Sequence, residues 1–207
     1  MKRNYVLKPL VFLAALIPLA LLVVDGLRGE LGANPIEKIT HQTGLWTLIL
    51  LLTTLAITPI RRITGVNWVI QYRRMIGLFA FFYGFLHLTT YVWLDQFFDF
   101  RHMLHDVYKR PFITAGFSAF LLMVPLALTS TQWSIRKLGK KWQTLHRLIY
   151  FSALAGVTHF IWLVKKDIQE PVTYAIIFGV LMSVRVFYWV QNSRRKAVPA
   201  ARPVNVS

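Results

Sequence analysis

Six apolar stretches, each about 20 residues long, run through this chain, and that pattern leaves few folds open. They lie at roughly 8–26, 42–60, 74–94, 111–130, 142–164 and 172–190. A helix needs about 20 residues to cross the hydrocarbon core of a bilayer. Inside lipid, every backbone N–H and C=O must be satisfied within the protein, so successive stretches of this length read as transmembrane helices. The expected fold is an all-α integral membrane protein, a six-helix transmembrane bundle forming a single domain over 1–207. Composition agrees, with 56% hydrophobic residues and a mean hydropathy of +0.49. The first stretch is short and follows Lys2 and Arg3, as the core of a signal peptide would. The sequence Asp25-Gly26-Leu27-Arg28 does not read as a small-residue cleavage site, so this stretch is expected to remain as a span.

The formal net charge is +16. On a soluble protein that would point to nucleic acid. Here the basic residues sit in short connections between apolar stretches, with no zinc-type Cys/His spacing and no RNA-binding motif. The expected surroundings are a lipid bilayer and no nucleic acid. Charge also predicts orientation. Lys2, Arg3 and Lys8 precede the first stretch, and Arg61, Arg62, Arg73 and Arg74 join the second to the third. Arg136, Lys137, Lys140, Lys141 and Arg147 join the fourth to the fifth; Arg194, Arg195, Lys196 and Arg202 follow the sixth. None of these segments contains an acid. All eight acids (Asp25, Glu30, Glu37, Asp95, Asp99, Asp106, Asp167 and Glu170) fall in the alternate connections. The positive-inside rule then puts both termini in the cytoplasm.

The chain has no cysteine. That removes disulfides, thiol catalysis and Cys-ligated iron–sulfur clusters. No Gly-rich dinucleotide fingerprint follows a strand, and no internal repeat is evident. Redox chemistry in such a chain would have to come from a bound cofactor.

Three histidines interrupt the apolar stretches: His87, His146 and His159. Ionisable side chains at membrane depth are costly and usually face the bundle interior, and histidine is a common ligand of haem iron. His87 lies 13 residues beyond Arg74, about 20 Å along a helix. His159 lies 17 residues beyond Trp142, about 25 Å along one running the same way. Both fall in the outer leaflet, at similar depth, where they could clamp a haem between them. Gly84 and Gly156 each precede one of these histidines by three residues and share its helix face. A bare backbone there would admit a flat porphyrin, or simply aid helix packing.

His146 lies near the cytoplasmic face, where the third stretch offers only Arg74. An arginine has no lone pair for iron, though it can pair with a haem propionate. His146 is open to three readings: a second, five-coordinate haem, a share in an alternative ligation, or contact with headgroups. His41 reads as the start of the second stretch, structural rather than part of a quinone site. His102 and His105, in H-x-x-H spacing, read as a solvated loop rather than a metal site. Arg185 either snorkels to the headgroups or neutralises a propionate. The seven tryptophans lie mostly near span ends, as an interfacial belt does. No catalytic residue is expected.

Several motifs then go together. They are LGANP (Leu31–Pro35), HQTG (His41–Gly44), ITP (Ile57–Pro59), RRMIGL (Arg73–Leu78), HLTTY (His87–Tyr91), RPFITAG (Arg110–Gly116) and LALTSTQWSIRKLGKKWQTLHRLIY (Leu126–Tyr150). In this order the chain resembles the MsrQ (YedZ) family, haem-binding membrane subunits of the periplasmic protein-methionine-sulfoxide reductase system. That family sits within the wider ferric-reductase and NADPH-oxidase transmembrane group.

The resemblance implies an electron conduit in the bacterial inner membrane. Electrons would come from the quinol pool or a cytoplasmic flavin reductase. They would pass through haem b to a periplasmic molybdopterin subunit, MsrP. The family's haem-ligand histidines map onto His87, His146 and His159. The family is also described as binding FMN, though no residue here localises it. The wider group carries two histidines on each of two helices, and here Arg74 stands where the fourth would be. The competing readings are a self-standing transmembrane ferric or oxygen reductase, a small transporter or proton channel with a histidine relay, and a scaffold.

Overall fold

The computed structural model describes residues 2–197, and side chains from residue 7 to 194. Arg202 lies outside the described residues, as do the side chains of Lys2, Arg3, Arg195 and Lys196. The elements in order are α1 (Lys2–Leu27), α2 (Pro35–Thr64), a 3-10 segment (Asn67–Tyr72) and α3 (Arg73–Thr89). A π-helical segment (Thr90–Asp95), α4 (Phe100–Lys109), α5 (Pro111–Leu128), α6 (Gln132–Leu138) and α7 (Lys140–Leu145) follow. α8 (Leu148–Leu163) and α9 (Gln169–Ala197) complete the chain, and no strand occurs among the described residues.

Five segments are long and apolar enough to cross a membrane: Leu7–Leu27, Pro35–Thr64, Asn67–Asp95, Pro111–Leu128 and Gln169–Arg194. The all-helical membrane fold expected from hydropathy is therefore present. The stretch 142–164 departs from a single continuous span. Its helix breaks after Leu145, His146 sits at φ −69° and ψ −3°, and α8 resumes for 16 residues, about 24 Å.

The helices also outrun their apolar stretches, because caps rather than hydropathy end them. The Asn34 side chain accepts from the Glu37 N–H and Pro35 occupies the first turn, a strong start signal. α2 thus begins well before residue 42. It stops at Gly65, whose φ of +72° suits a residue without Cβ and whose N–H closes on the Arg61 carbonyl.

α2 lies along α3, and α5 along α8. α3 also meets α5, and α2 meets α8, which closes a ring of four helices. α1 packs on α2 and α3, and α9 packs on α2 and α8. Leu48, Leu51 and Leu55 of α2, Ala80 and Tyr83 of α3, Met123 of α5, and Ala153 and Val157 of α8 fill the interior. Small residues such as Ala80, Ser152 and Ala153 are fully buried between helices, as in membrane bundles generally. Ser152 is fully buried and donates to the Ala119 carbonyl at 2.9 Å, which joins α8 to α5. Apolar side chains such as Leu13 and Leu21 of α1, and Ile176 and Phe187 of α9, face outward. Water would penalise that surface; lipid does not.

Two prolines open helices where another element plugs the gap. Beside Pro18 in α1, the Leu19 N–H donates to the Tyr83 hydroxyl (3.1 Å), which donates to the Ala15 carbonyl (2.8 Å). Pro59 in α2 has no N–H for the Leu55 carbonyl four residues back. That carbonyl instead accepts from Nη2 of Arg185 on α9, at 2.5 Å.

The bundle has an acid-bearing end and a basic end, as the charge pattern implies. At the acid-bearing end, the interval 95–110 is largely helical rather than a loop. Asp99 caps α4 by accepting from the His102 N–H at 2.9 Å. Asp106, only 2% exposed, takes the Arg110 guanidinium at 3.2 Å.

Candidate functional site

His87 projects from α3 and His159 from α8, which are the diagonal members of the ring. Their imidazole centroids are 6.1 Å apart, with the planes at 75°. Each ring is tied from behind. Nδ1 of His87 lies 2.9 Å from the Thr40 carbonyl of α2, and Nδ1 of His159 lies 2.6 Å from the Phe112 carbonyl of α5. A carbonyl only accepts, so Nδ1 carries the hydrogen in both rings and Nε2 keeps its lone pair. This is the arrangement by which metal-ligating histidines are usually oriented.

The neighbouring helices are cut away to admit the rings. A Cβ on Gly44 of α2 would stand 3.0 Å from Cε1 and Nδ1 of His87. On Gly116 of α5 it would stand 2.7 Å from Nδ1 of His159 and 2.9 Å from Cε1. At Gly116 a side chain cannot coexist with the ring in place, and at Gly44 the ring would have to give by a few tenths of an ångström. A metal–imidazole bond is about 2.0 Å. One metal held in line between two imidazoles therefore needs ring centroids about 6 Å apart, from two such bonds and two ring half-widths of about 1.1 Å. The observed spacing, the tautomers and the paired glycines all fit a metal centre shared by His87 and His159.

The two halves of the site repeat each other. His87 reaches back 47 residues to Thr40, and His159 reaches back 47 residues to Phe112. Each recipient carbonyl lies four residues before the glycine that clears the ring, Gly44 or Gly116. The α2–α3 pair and the α5–α8 pair thus carry one pattern twice, although no repeat is evident in sequence. Gly44 and Gly116 were not singled out as site residues from sequence, even though they end two of the quoted motifs, HQTG and RPFITAG.

Gly84 and Gly156 do something else. A Cβ on Gly84 would meet Thr47 at 3.3 Å and Phe120 at 3.6 Å; on Gly156 it would meet Leu48 at 3.8 Å. Among protein atoms Gly84 therefore serves a close contact between helices, whereas Gly156 stands in ordinary contact with Leu48 alone.

The other sequence candidates are dispersed. His146 lies in the turn between α7 and α8, stacked on Trp142 with centroids 3.8 Å apart. Its Nδ1 is 3.2 Å from the Trp142 carbonyl, and its Nε2 is buried with no partner. Arg74 is exposed. The adjacent Arg73 is half-buried, and its charge acts on His146. His41 is exposed, 4.0 Å from Glu170 and edge-on to Phe160. His102 and His105 stack on each other on α4, and no group of three or more His, Cys, Asp or Glu side chains able to hold a metal ion occurs among the described residues.

Residues 43–157 match the model for the ferric reductase like transmembrane component. The chain is also similar, along most of its length, to proteins named protein-methionine-sulfoxide reductase heme-binding subunit MsrQ. The one from Herminiimonas arsenicoxydans is 52% identical, over 93% of this chain and 90% of that protein. The Bordetella pertussis protein is 51% identical over 88% of this chain and 90% of its own length. The chain belongs to the MsrQ family. An MsrQ protein from Azospira oryzae is 47% identical over 96% of this chain and 88% of its own length. No solved structure matches. The family match includes Gly44, His87, Gly116 and His146 and stops two residues short of His159. Identity to MsrQ members over nearly the whole chain carries the likeness past that point.

Proposed function

We propose that this chain is a haem b membrane subunit that passes electrons across the bacterial inner membrane to a periplasmic molybdopterin partner, MsrP, which reduces methionine sulfoxide in oxidised proteins. The quinol pool or a cytoplasmic flavin reductase supplies the electrons. The single observation that carries this reading is the clamp of His87 and His159, with both Nδ1 atoms tied to backbone and both rings set against glycines. Relatives sharing about half their residues with this chain are named heme-binding subunits.

Six spans with both termini in the cytoplasm place this pair nearer the periplasmic face. α8 then crosses together with the turn and α7 before it. Haem held by two neutral imidazoles supplies one-electron chemistry and leaves no open iron position for oxygen. The chain's own part is to hold two rings at fixed spacing and tautomer. Its helices Thr40–Gly44 and Phe112–Gly116 do this through backbone, so the ligands keep their orientation when the charge between them changes. His146, whose buried Nε2 makes no well-formed hydrogen bond although the Leu126 backbone acts on the ring, is the ligand available for a second haem nearer the cytoplasm. The connections at 26–41, 95–110 and 165–170 present the acid-bearing end to the partner. With no cysteine, the chain has no thiol for sulfoxide reduction and no Cys ligand for molybdenum, so catalysis belongs to the partner.

The test is an optical spectrum of the purified chain, oxidised and dithionite-reduced, with a pyridine haemochrome count. A sharp reduced b-type spectrum is expected. His87→Ala and His159→Ala should each lower the count by one haem per chain. A normal spectrum and count in both variants would sink the assignment.

A further inference from the structure

Among the described residues, four buried side-chain polar atoms find no hydrogen-bond partner: Thr58 Oγ1, Tyr72 OH, His146 Nε2 and Arg185 Nε. All four belong to segments at the basic end of the bundle. Such orphans are uncommon, because a buried polar group left unmet keeps its full desolvation penalty. Four on converging segments call for a common explanation.

The segments are physically joined. Arg185 donates through Nη1 to the Tyr150 hydroxyl at 2.9 Å and through Nη2 to the Leu55 carbonyl that Pro59 leaves free. Tyr150 stands one helical turn beyond His146, and Thr58 nearly one turn beyond Leu55. Tyr72 immediately precedes Arg73, whose charge acts on both His146 and Arg185. The guanidinium of Arg185 is thus held by two neutral acceptors, with its Nε–H directed at neither.

Charge selects the occupant. Arg62 and Arg73 both act on Arg185, yet all eight acids of the chain lie in connections at the opposite end. The Tyr150 ring, 5.1 Å from the Arg185 guanidinium carbon, offers a cation–π contact, but with two further cations acting on it and no carboxylate the partly buried guanidinium still favours an anion. A neutral carbonyl ligand would accept hydrogen bonds but leave the charge unmet. A carboxylate or phosphate meets both, since several acceptor oxygens can take the Nε–H and the two hydroxyls together.

We propose that Arg185, Tyr72 and Thr58, with Arg73 beside them, form a binding site for an oxyanion at the basic end of the bundle. The oxyanion is either a haem carboxylate, which rests on the reading of His146 as a second haem ligand, or the phosphate of an anionic phospholipid.

The experiment uses the full chain in nanodiscs and has two arms. The first compares uptake of haem and of haem dimethyl ester, which lacks the carboxylates, by the haem-stripped protein. The second measures by native mass spectrometry how strongly phosphatidylglycerol is retained over phosphatidylcholine. If the oxyanion is a haem carboxylate, the wild type prefers haem over its ester about tenfold or more. Arg185→Gln then brings that ratio several-fold closer to one while the spectrum of the His87–His159 haem stays in place. If it is a lipid phosphate, the ester binds as well as haem, and the wild type retains phosphatidylglycerol whereas Arg185→Gln does not. Tyr72→Phe, which removes a single oxygen, should lower whichever preference is present by a smaller factor. It also serves where Arg185→Gln fails to fold. If neither preference exists, or if neither variant changes it, the layer is merely hydrated and the proposal is overturned. A chain that takes up no haem overturns the haem reading alone, and phospholipid retention then decides this proposal.

Discussion

The two ends of the four-helix ring treat their histidines in opposite ways. Toward the acid-bearing end, His87 and His159 are matched. Each is tied to a backbone carbonyl, each lies against a glycine, and each reaches back across the same 47 residues. Toward the basic end, His146 stands without a histidine opposite it. The residue that corresponds to it in the other helix pair, 72 positions earlier as His87 is to His159, is Arg74, which is exposed. The segments at this end hold the four buried side-chain atoms that, among the described residues, lack hydrogen-bond partners. In the matched pair every ring is oriented by backbone before any ligand arrives, whereas the unmatched layer leaves polar atoms that nothing in the protein orients.

The largest expected effect comes from breaking one half of the matched pair without touching a histidine. Gly116→Val would put a branched side chain where a single Cβ already comes within 2.7 Å of Nδ1 of His159. The ring must leave, so the variant should lose as much haem as His159→Ala in a haemochrome count. Gly44→Ala meets its ring at 3.0 Å, and a shift of a few tenths of an ångström would accommodate it. About tenfold weaker haem retention is expected there, the lower end of the range for disturbing what orients a ligand. Equal retention in Gly116→Val and wild type would mean that the glycines do not shape the site.

The next effect separates the two ends. His146→Ala should leave the reduced spectrum of the His87–His159 haem in place, while the count per chain either stays the same or falls by one. Collapse of the entire haem signal would show that the layers are one site rather than two. Smaller still is Gly84→Ala. Its Cβ would press on Thr47 at 3.3 Å and touch no histidine. A stability loss of about 1 kcal/mol, typical of slight overpacking, should appear in thermal unfolding with the haem count unchanged.

That contrast marks how far the sequence could be read. The depths of His87 and His159 follow from rise per residue along two spans, and the structure places their rings face to edge across the ring of helices. The glycines that serve them could not be found the same way. Spacing within one helix says which residues share a face, so Gly84 and Gly156 drew attention. It says nothing of which residue on another helix meets that face, and the glycines in contact, Gly44 and Gly116, come from α2 and α5. The twofold pattern was hidden for a related reason. Its two copies agree in backbone positions, and the residues giving up their carbonyls, Thr40 and Phe112, share no chemistry. Hydropathy likewise marked the fifth stretch but not the turn at His146, because an average over the stretch does not locate a break between the polar segment Gln143–Arg147 and the apolar α8.

The smallest effect probes how the unmatched layer is held open. Pro59 is usually a liability within a helix, costing about 3 kcal/mol relative to alanine. Here the carbonyl it frees on Leu55 is occupied by Arg185. Pro59→Ala would restore an N–H to compete for that carbonyl, so the gain in helix stability should be offset by loosening of the guanidinium. The net change in melting temperature is expected to be small. Coupling is the sharper measure. In a double-mutant cycle with Arg185→Gln, the proline substitution should be more stabilising once the arginine no longer needs the carbonyl, by about 0.5–3 kcal/mol, the range for residues that share a partner. Strict additivity would mean that Arg185 does not depend on the break in α2. The contrast between a self-sufficient layer and an open one would then need another cause.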